Sequence, residues 1–575
     1  MLRRIFSYMK QYRKYVYLAL LCIGIEVVLE LLVPMIMSDL IDVGVAQGDE
    51  TYIIKRGLLM ALCAVLALIF GIGSARFSAL AGQGLGANLR EAQYSKLQSY
   101  SFMNMDHFRT SSLVTRLTSD ITNIQNAISS GMRPFGRSPV MLIAATSIVF
   151  SINARLALVF LVALPVLACL LIVIIINIRP LYSKMQYAID MVNRTIQENL
   201  TAIRVVKAYV RGDYEIARFD EVNNELKNQS EKAFKTAVLN MPAMQYVMYS
   251  TIICLLLYGG YLVNQGELMI GQLTSFLSYV LVILNSLMMM SNVFLLMTRS
   301  LASGARIMEV IDEKVDMTDD NASGVLVERG EVEFDHVWFK YRPEAKEYVL
   351  EDITFHIEPG QTVGIIGQTG SAKTSLVQLI PRLYDASRGT IKIDGREVSE
   401  YTLEHLRDSV AMVLQKNTLF SGTLLSNLRW GDENASMEEI EQACHIACVD
   451  EFIDRLDNGY ETEMGQGGVN VSGGQKQRIC IARAILKKPK ILILDDSTSA
   501  VDTATEAKIR QGFAEKLPDM TKIIIAQRIS SVRHADQIII LDNGKINAIG
   551  THESLLAGNK IYQEIYESQK EGADL

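Results

Sequence analysis

Long apolar stretches crowd the first three hundred residues, and they limit what this chain can fold into more than any other feature. They run at roughly 15–37, 57–80, 139–151 continuing into 156–178, 243–263 and 273–297. A stretch such as 15–37 makes a helix of about 35 Å at ~1.5 Å per residue, enough to cross a hydrocarbon core of ~30 Å. The run 139–178 is too long for one crossing. Ser151-Ile152-Asn153-Ala154-Arg155 interrupts it, so it reads as two helices joined by a short hairpin. Six crossings result. The stretches 81–138 and 179–242 are too long for turns and carry heptad-like apolar spacing with polar faces. The helices are therefore expected to continue well into the cytoplasm.

Basic residues orient the bundle. Arg3, Arg4, Lys10, Arg13 and Lys14 precede the first crossing, and Arg90, Lys96, Arg109, Arg116, Arg133 and Arg137 follow the second. Ten more lie between Arg179 and Lys235, whereas the alternate connections hold only Lys55 and Arg56, then Arg155, then none in 264–272. The positive-inside rule places both termini and the two long loops in the cytoplasm, as expected for a multi-pass protein of the plasma (cytoplasmic) membrane. The first span is too long for a signal-peptide core and lacks a small-residue cleavage site, so it is expected to remain.

Composition then separates two unlike halves. Hydrophobic residues make up 49% of the chain and charged residues 21%, which excludes a disordered chain. Lys plus Arg total 56 against 63 acidic residues, a net charge of −7, and nucleic-acid binding is not expected without a basic footprint. Seven cysteines in 575 residues do not make a disulfide scaffold. Cys444 and Cys448 flank His445 one helical turn apart, as half of a zinc site or as small residues on a buried face. No internal repeat or low-complexity tract is present.

The polar stretch 311–330 reads as a linker between a membrane domain at 1–310 and a second domain at 331–575. From Gly330 onward short β-rich runs (Val332–Phe334, Thr362–Ile366, Thr390–Ile393, Ile491–Leu494, Lys522–Ile525, Gln537–Leu541) alternate with helices, the pattern of an α/β domain with its own core. The run Thr362–Ile366 is followed by Gly367-Gln368-Thr369-Gly370-Ser371-Ala372-Lys373-Thr374 and a helical pattern that begins at Ser375. Strand, glycine-rich turn and helix start are the context of a phosphate-binding loop. Its backbone N–H groups would cradle phosphates, Lys373 would neutralise the β/γ oxygens and Thr374 would hold Mg²⁺. Ala372 stands where the motif expects glycine. Ile491-Leu492-Ile493-Leu494-Asp495 supplies a buried strand with a carboxylate at its end to reach Mg²⁺.

Val471-Ser472-Gly473-Gly474-Gln475, followed by Lys476-Gln477-Arg478, resembles the signature sequence of ABC transporters, and the rest of the family's set stands in order. Tyr341 is similar to the adenine-stacking aromatic, Gln415 to the Q-loop glutamine that also reaches the metal, and Ser499-Ala500-Val501-Asp502 to the D-loop. Leu32-Val33-Pro34 leading to Ile41-Asp42, and Glu198-Asn199-Leu200 leading to Ile203-Arg204-Val205-Val206-Lys207, resemble the membrane half of the exporter type. The likeness covers nearly the whole chain. It implies an all-α six-helix transmembrane domain followed by an α/β P-loop ATPase that uses ATP and Mg²⁺. In this family two nucleotide domains pack head to tail. Val471, Ser472, Gly473, Gly474, Gln475 and Asp502 would then act on the ATP of a second half-transporter.

Three departures from the family pattern matter. Asp496 occupies the position after the Walker B aspartate, where the family has a glutamate that activates water. Gln527 occupies the switch position, where the family has histidine, and an amide cannot accept a proton as imidazole does. Gln466 replaces the usual glutamate in the loop facing the coupling helices. Asp496 and Gln527 together are the pairing seen in one half of heterodimeric exporters. The resemblance therefore implies a chain whose own Walker site is weak and whose partner is a different chain. By position, turns near Ser112–Arg116 and Tyr209–Glu215 resemble the coupling helices.

Glu26 and Glu30 share one face of the first span. Carboxylates in hydrocarbon face a water-filled cavity or a partner. They read either as recognition sites for cationic amphiphiles or as a polar lining paired with basic groups of the other chain. The leading expectation is export of small hydrophobic or amphiphilic compounds, drugs or lipids, from the membrane. A homodimeric lipid or peptide flippase is the alternative, although no peptidase domain precedes Arg3. A nucleotide-gated channel or regulatory subunit is the alternative of another class.

Overall fold

The structure is a computed structural model, and it describes residues 1–320, 322–496 and 500–571 apart from a few side chains within helices. Contacts divide the chain into two units, residues 1–97 with 111–312 and residues 98–110 with 313–575.

The first unit is helical. Its long helices are Arg13–Asp39, Glu50–Gln98, Met132–Ile152, Ala154–Thr201, Gly212–Val238, Asn240–Asn264 and Ile270–Asp312. Among the described residues five helical stretches are long and apolar enough to cross a membrane. The 48-residue helix Ala154–Thr201 adds a sixth by length, about 72 Å at ~1.5 Å per residue. The hairpin falls at Asn153, which is extended (φ −156°, ψ 107°) and accepts from the N–H of Leu156 at 3.0 Å. Its side chain caps the new helix where an apolar residue would have continued the old one. The 49-residue helix Glu50–Gln98 is about 73 Å long, more than twice the hydrocarbon thickness, so much of it lies outside the membrane. The turn expected near Tyr209–Glu215 presents Tyr209 and Val210, 75% and 88% exposed.

Among the described residues the second unit holds twelve strands: β1 (Val332–Phe339), β2 (Leu350–Ile357), β3 (Thr362–Ile366), β4 (Arg388–Ile393), β5 (Arg396–Glu397), β6 (Val410–Val413), β7 (Gly422–Thr423), β8 (Glu463–Met464), β9 (Ile491–Asp495), β10 (Thr521–Ile525), β11 (Gln537–Asp542) and β12 (Lys545–Gly550). A six-stranded sheet runs β12-β11-β3-β10-β9-β6, and a four-stranded antiparallel sheet runs β2-β1-β4-β5. Strands β3, β9 and β10 are buried along nearly their whole length, as unbroken apolar runs are when both faces of a parallel sheet are covered. Strands β2, β6 and β12, and the two-residue strands β5, β7 and β8, have no counterpart in the runs read from sequence. In β2 every second residue is exposed, which dilutes its apolar signal.

Residues 98–110 group by contacts with the second unit, while Ser112–Arg116 groups with the first. Side-chain bonds explain the grouping. Ser101 donates to Asp316 at 2.5 Å, Asn104 to the carbonyl of Lys314 at 2.9 Å, and Tyr384 to Asp106 at 2.8 Å. A capping box at Ser101 and Asn104 starts the short helix Phe102–His107 that carries Asp106.

Candidate nucleotide site and membrane carboxylates

Parallel pairing brings the candidate site together. Ile525 of β10 lies opposite Ile365 of β3 on one side and Asp495 of β9 on the other. The loop after β3, the carboxylates after β9 and the loop after β10 therefore emerge at one edge, where ligands bind in α/β sheets.

In the phosphate loop, a Cβ at Gly367 would meet the carbonyl oxygen of Leu541 at 2.2 Å, so only glycine fits there. Ala372 has φ +71°, which explains why a glycine is expected at this position. A methyl group on a left-handed backbone costs about 1 kcal/mol, so the departure leaves the loop strained but formed. Lys373 Nζ lies within 2.8 Å of the carbonyls of Gly367 and Gln368 and 3.4 Å from Ser371 Oγ. Burial lowers its pKa, against the pull of Asp496 and Asp495. The short helix Lys373–Gln378 carries Thr374, whose hydroxyl donates to Asp495 at 3.1 Å, and Ser375, which bonds the hydroxyl of Tyr341 at 2.8 Å. The Tyr341 ring meets Tyr384 edge-on, 5.1 Å between centroids.

The residues present fit a magnesium ion. Asp495 is 1% exposed, and its Oδ2 is buried without a hydrogen-bond partner, next to an Oδ1 that already meets Thr374. Such an orphaned anionic oxygen is costly until a cation or water meets it. Burial raises the Asp495 pKa above the ordinary carboxylate range. The folded state then binds the proton more tightly than the unfolded chain does. The penalty of holding Asp495 charged is absent below the unfolded pKa and grows as pH rises toward the folded value. Asp495→Asn is therefore expected to raise the melting temperature measured without magnesium, more at pH 7 than at pH 4. It is also expected to remove the stabilisation that Mg²⁺ with ATP confers, and equal shifts at both pH values would count against this assignment.

The two departure residues touch. Gln527 Nε2 donates to Asp496 Oδ2 at 2.9 Å, and the Gln415 side chain also bonds this carboxylate. Burial raises the Asp496 pKa, and the two amides lower it. Its backbone is left-handed, φ +48°, a region that aspartate tolerates better than most residues.

The signature residues form a second cluster. Ser472 caps the 14-residue helix Gly473–Leu486 through a capping box with Gln475. Ser472 and Gly473 are exposed, so the N-terminal end of the helix is open to an anion. A Cβ on Gly474 would sit 2.7 Å from the carbonyl oxygen of Ala500, and Gln477 accepts from the Ala500 N–H at 3.1 Å. Val471 is half-buried at the edge of the core. Asp502 accepts from the N–H of Thr505 at 2.9 Å and so caps its own helix, Thr503–Lys516. Ser499 of the D-loop lies outside the described residues.

In the membrane unit Glu26 and Glu30 are partnered within the chain. Glu26 is 1% exposed and meets Arg133, Arg137 (3.4 Å) and Ser74 (3.5 Å), while Glu30 meets Arg137 at 2.5 Å. The basic groups expected from another chain are supplied by this one, and both carboxylates are already neutralised. The signal was present: Arg133 and Arg137 are spaced four apart, as Glu26 and Glu30 are. Cys444 is fully buried, burial pushes its thiol up to about 12, and His445 pairs with Asp450 at 2.7 Å. Tyr384, which joins Asp106 to Tyr341, carries no signal in the sequence.

Comparisons with known proteins agree with this geometry. Residues 16–287 match the ABC transporter transmembrane region family and residues 350–499 match the ABC transporter family. The chain is 37% identical to the uncharacterized ABC transporter ATP-binding protein YfiB of Bacillus subtilis, covering 100% of both chains. It is 31% identical to the ATP-dependent lipid A-core flippase of Idiomarina loihiensis, covering 99% of this chain and 98% of that one. A solved bacterial Atm1-family ABC exporter with ATP bound superposes with a TM-score of 0.81 at 26% identity, covering 97% of this chain and 98% of the other. With a helical membrane region and a nucleotide-binding α/β domain on one polypeptide, the chain belongs to the ABC transporters, as an exporter-type half-transporter.

Proposed function

We propose that this chain is the ATP-binding subunit of an exporter that moves hydrophobic or amphiphilic compounds, drugs or lipids, out of the cytoplasm or the inner leaflet. It works in the plasma membrane with both termini in the cytoplasm, paired with a second half-transporter of different sequence. Its own Walker site, built from Tyr341, Gly367–Ser375, Gln415 and Asp495, holds ATP with Mg²⁺ and hydrolyses it slowly. Its signature, Val471–Gln475, with Asp502 completes the partner's hydrolytic site. One observation carries this reading: Asp496 is held by the amide of Gln527, so no proton-accepting side chain stands at the switch position. The similarity to a lipid A-core flippase supports an amphiphilic cargo. ATP binding would favour the outward-open state through its tighter binding to the closed nucleotide dimer, and hydrolysis would reset it.

The test is transport of a fluorescent amphiphile or lipid analogue in vesicles carrying the assembled complex. Transport is expected with ATP and not with a non-hydrolysable analogue, and the chain purified alone is expected to turn ATP over slowly. Flux with the analogue would establish a nucleotide-gated conductance instead. Full turnover and transport by the chain alone would establish a homodimeric flippase.

A further inference from the structure

The C-terminal helix Lys560–Glu571 buries one face, with Tyr562 fully buried and Ile565 and Tyr566 packed against the same core. Near its end, one side chain reaches the loop after β10 twice. Gln569 Oε1 accepts from the backbone N–H of Ile529 at 2.9 Å, and Gln569 Nε2 donates to the backbone carbonyl of Gln527 at 2.8 Å. The two bonds straddle Arg528, whose backbone is extended (φ −100°, ψ 131°), much as a neighbouring strand would bond it. Ile529 opens the short helix Ile529–Val532, and no side chain of the N-cap residue Arg528 closes its first N–H groups. Gln569 supplies the acceptor that this helix start lacks. Gln527 and Arg528 are themselves exposed, so core packing does not hold them.

The outer end of this chain of contacts is the nucleotide site. The Gln527 whose carbonyl is held by Gln569 is the residue whose side chain bonds Asp496 at 2.9 Å. We propose that Gln569 is a positioning residue of the nucleotide site: from the C-terminal helix it fixes the switch loop so that the side chain at 527 stays directed at Asp496. The inference rests on the reading of 496 and 527 as the general-base and switch positions. It extends that reading to a residue some forty positions away on a different element. A carboxamide is the group required, since it alone among similar side chains offers a donor and an acceptor together. Glutamate keeps the acceptor for Ile529 but turns a repelling oxygen toward the Gln527 carbonyl. Leucine removes both bonds at similar volume.

Two measurements on the full chain in its assembled complex test this. In hydrogen exchange, Gln569→Leu is expected to speed exchange of the Ile529 amide by about tenfold, the loss of one ordinary hydrogen bond, with Gln569→Glu closer to the parent. In ATP turnover, Gln569→Leu is added to a chain already carrying Asp496→Glu and Gln527→His, together with Ser472→Ala to silence the other site. There it is expected to lower kcat by about tenfold while KM for ATP stays within about twofold, with Gln569→Glu intermediate. Unchanged exchange at Ile529 overturns the proposal, as does a fall in kcat matched by equal changes in KM and melting temperature. If Asp496→Glu with Gln527→His turns ATP over no faster than the parent, the reading of those two positions fails. The exchange result then still decides the role of Gln569. Should Gln569→Leu not fold, Gln569→Ala, which also removes both bonds, carries both measurements.

Discussion

Replacing Asp496 by glutamate together with Gln527 by histidine is expected to raise hydrolysis at this chain's own Walker site by about 10²-fold. Aspartate withdraws the carboxylate by about 1.5 Å relative to glutamate, one C–C bond. Misplacement on that scale costs about 10² in rate, and loss of general-base help costs ~10²–10⁴. The geometry explains why both changes are needed. The Asp496 carboxylate accepts from the Gln527 amide, so lengthening it alone leaves it facing a donor that cannot take its proton. The left-handed backbone at 496 (φ +48°) favours aspartate over glutamate, which holds the gain below the full range. The measurement is phosphate release from the assembled complex carrying Ser472→Ala, which removes the contribution of the other site. A double substitution that leaves turnover within twofold of its parent would sink the assignment of a weakened site.

The second large effect lies at the other cluster. Ser472→Ala and Gly474→Ala are each expected to abolish most ATP turnover of the assembled complex, by at least ~10², while ATP binding at this chain's own Walker site persists. Removing the Ser472 hydroxyl loses an N-cap worth about 1 kcal/mol and a polar group at the exposed end of the signature helix. Removing a donor directed at transition-state charge typically costs ~10²–10³. Gly474→Ala acts by a different route. Its new methyl group would stand 2.7 Å from the carbonyl oxygen of Ala500, so the segment leading to Asp502 must shift. Photocrosslinking of labelled ATP separates binding from turnover. Unchanged turnover in Ser472→Ala would mean that this signature completes no hydrolytic site.

The phosphate loop, the strand ending in Asp495 and the signature were legible because each is a contiguous motif whose chemistry needs those residues at those spacings. The membrane-crossing helices were legible because hydrocarbon imposes length and apolarity on a contiguous stretch. What escaped has no local pattern. Strand β2 is half exposed, so its apolar residues are too sparse to announce it. The grouping of residues 98–110 with the nucleotide domain depends on bonds from Ser101, Asn104 and Asp106 to residues more than two hundred positions away. Glu26 and Glu30 were visible as costly charges in a membrane helix, but their partners Arg133 and Arg137 are a hundred residues distant.

By itself, the sequence determined the family, the division into a membrane part and an ATPase, and the departures at Ala372, Asp496 and Gln527. Those properties follow from residue identity over short windows. Tertiary structure alone decided which groups meet. It neutralised Glu26 and Glu30 within the chain and joined Gln527 to Asp496. It also carried Gln569 from the last helix to the switch loop. Hydrogen bonds and ion pairs act over about 3 Å, and residues far apart in sequence come that close only when the packing of whole elements puts them there.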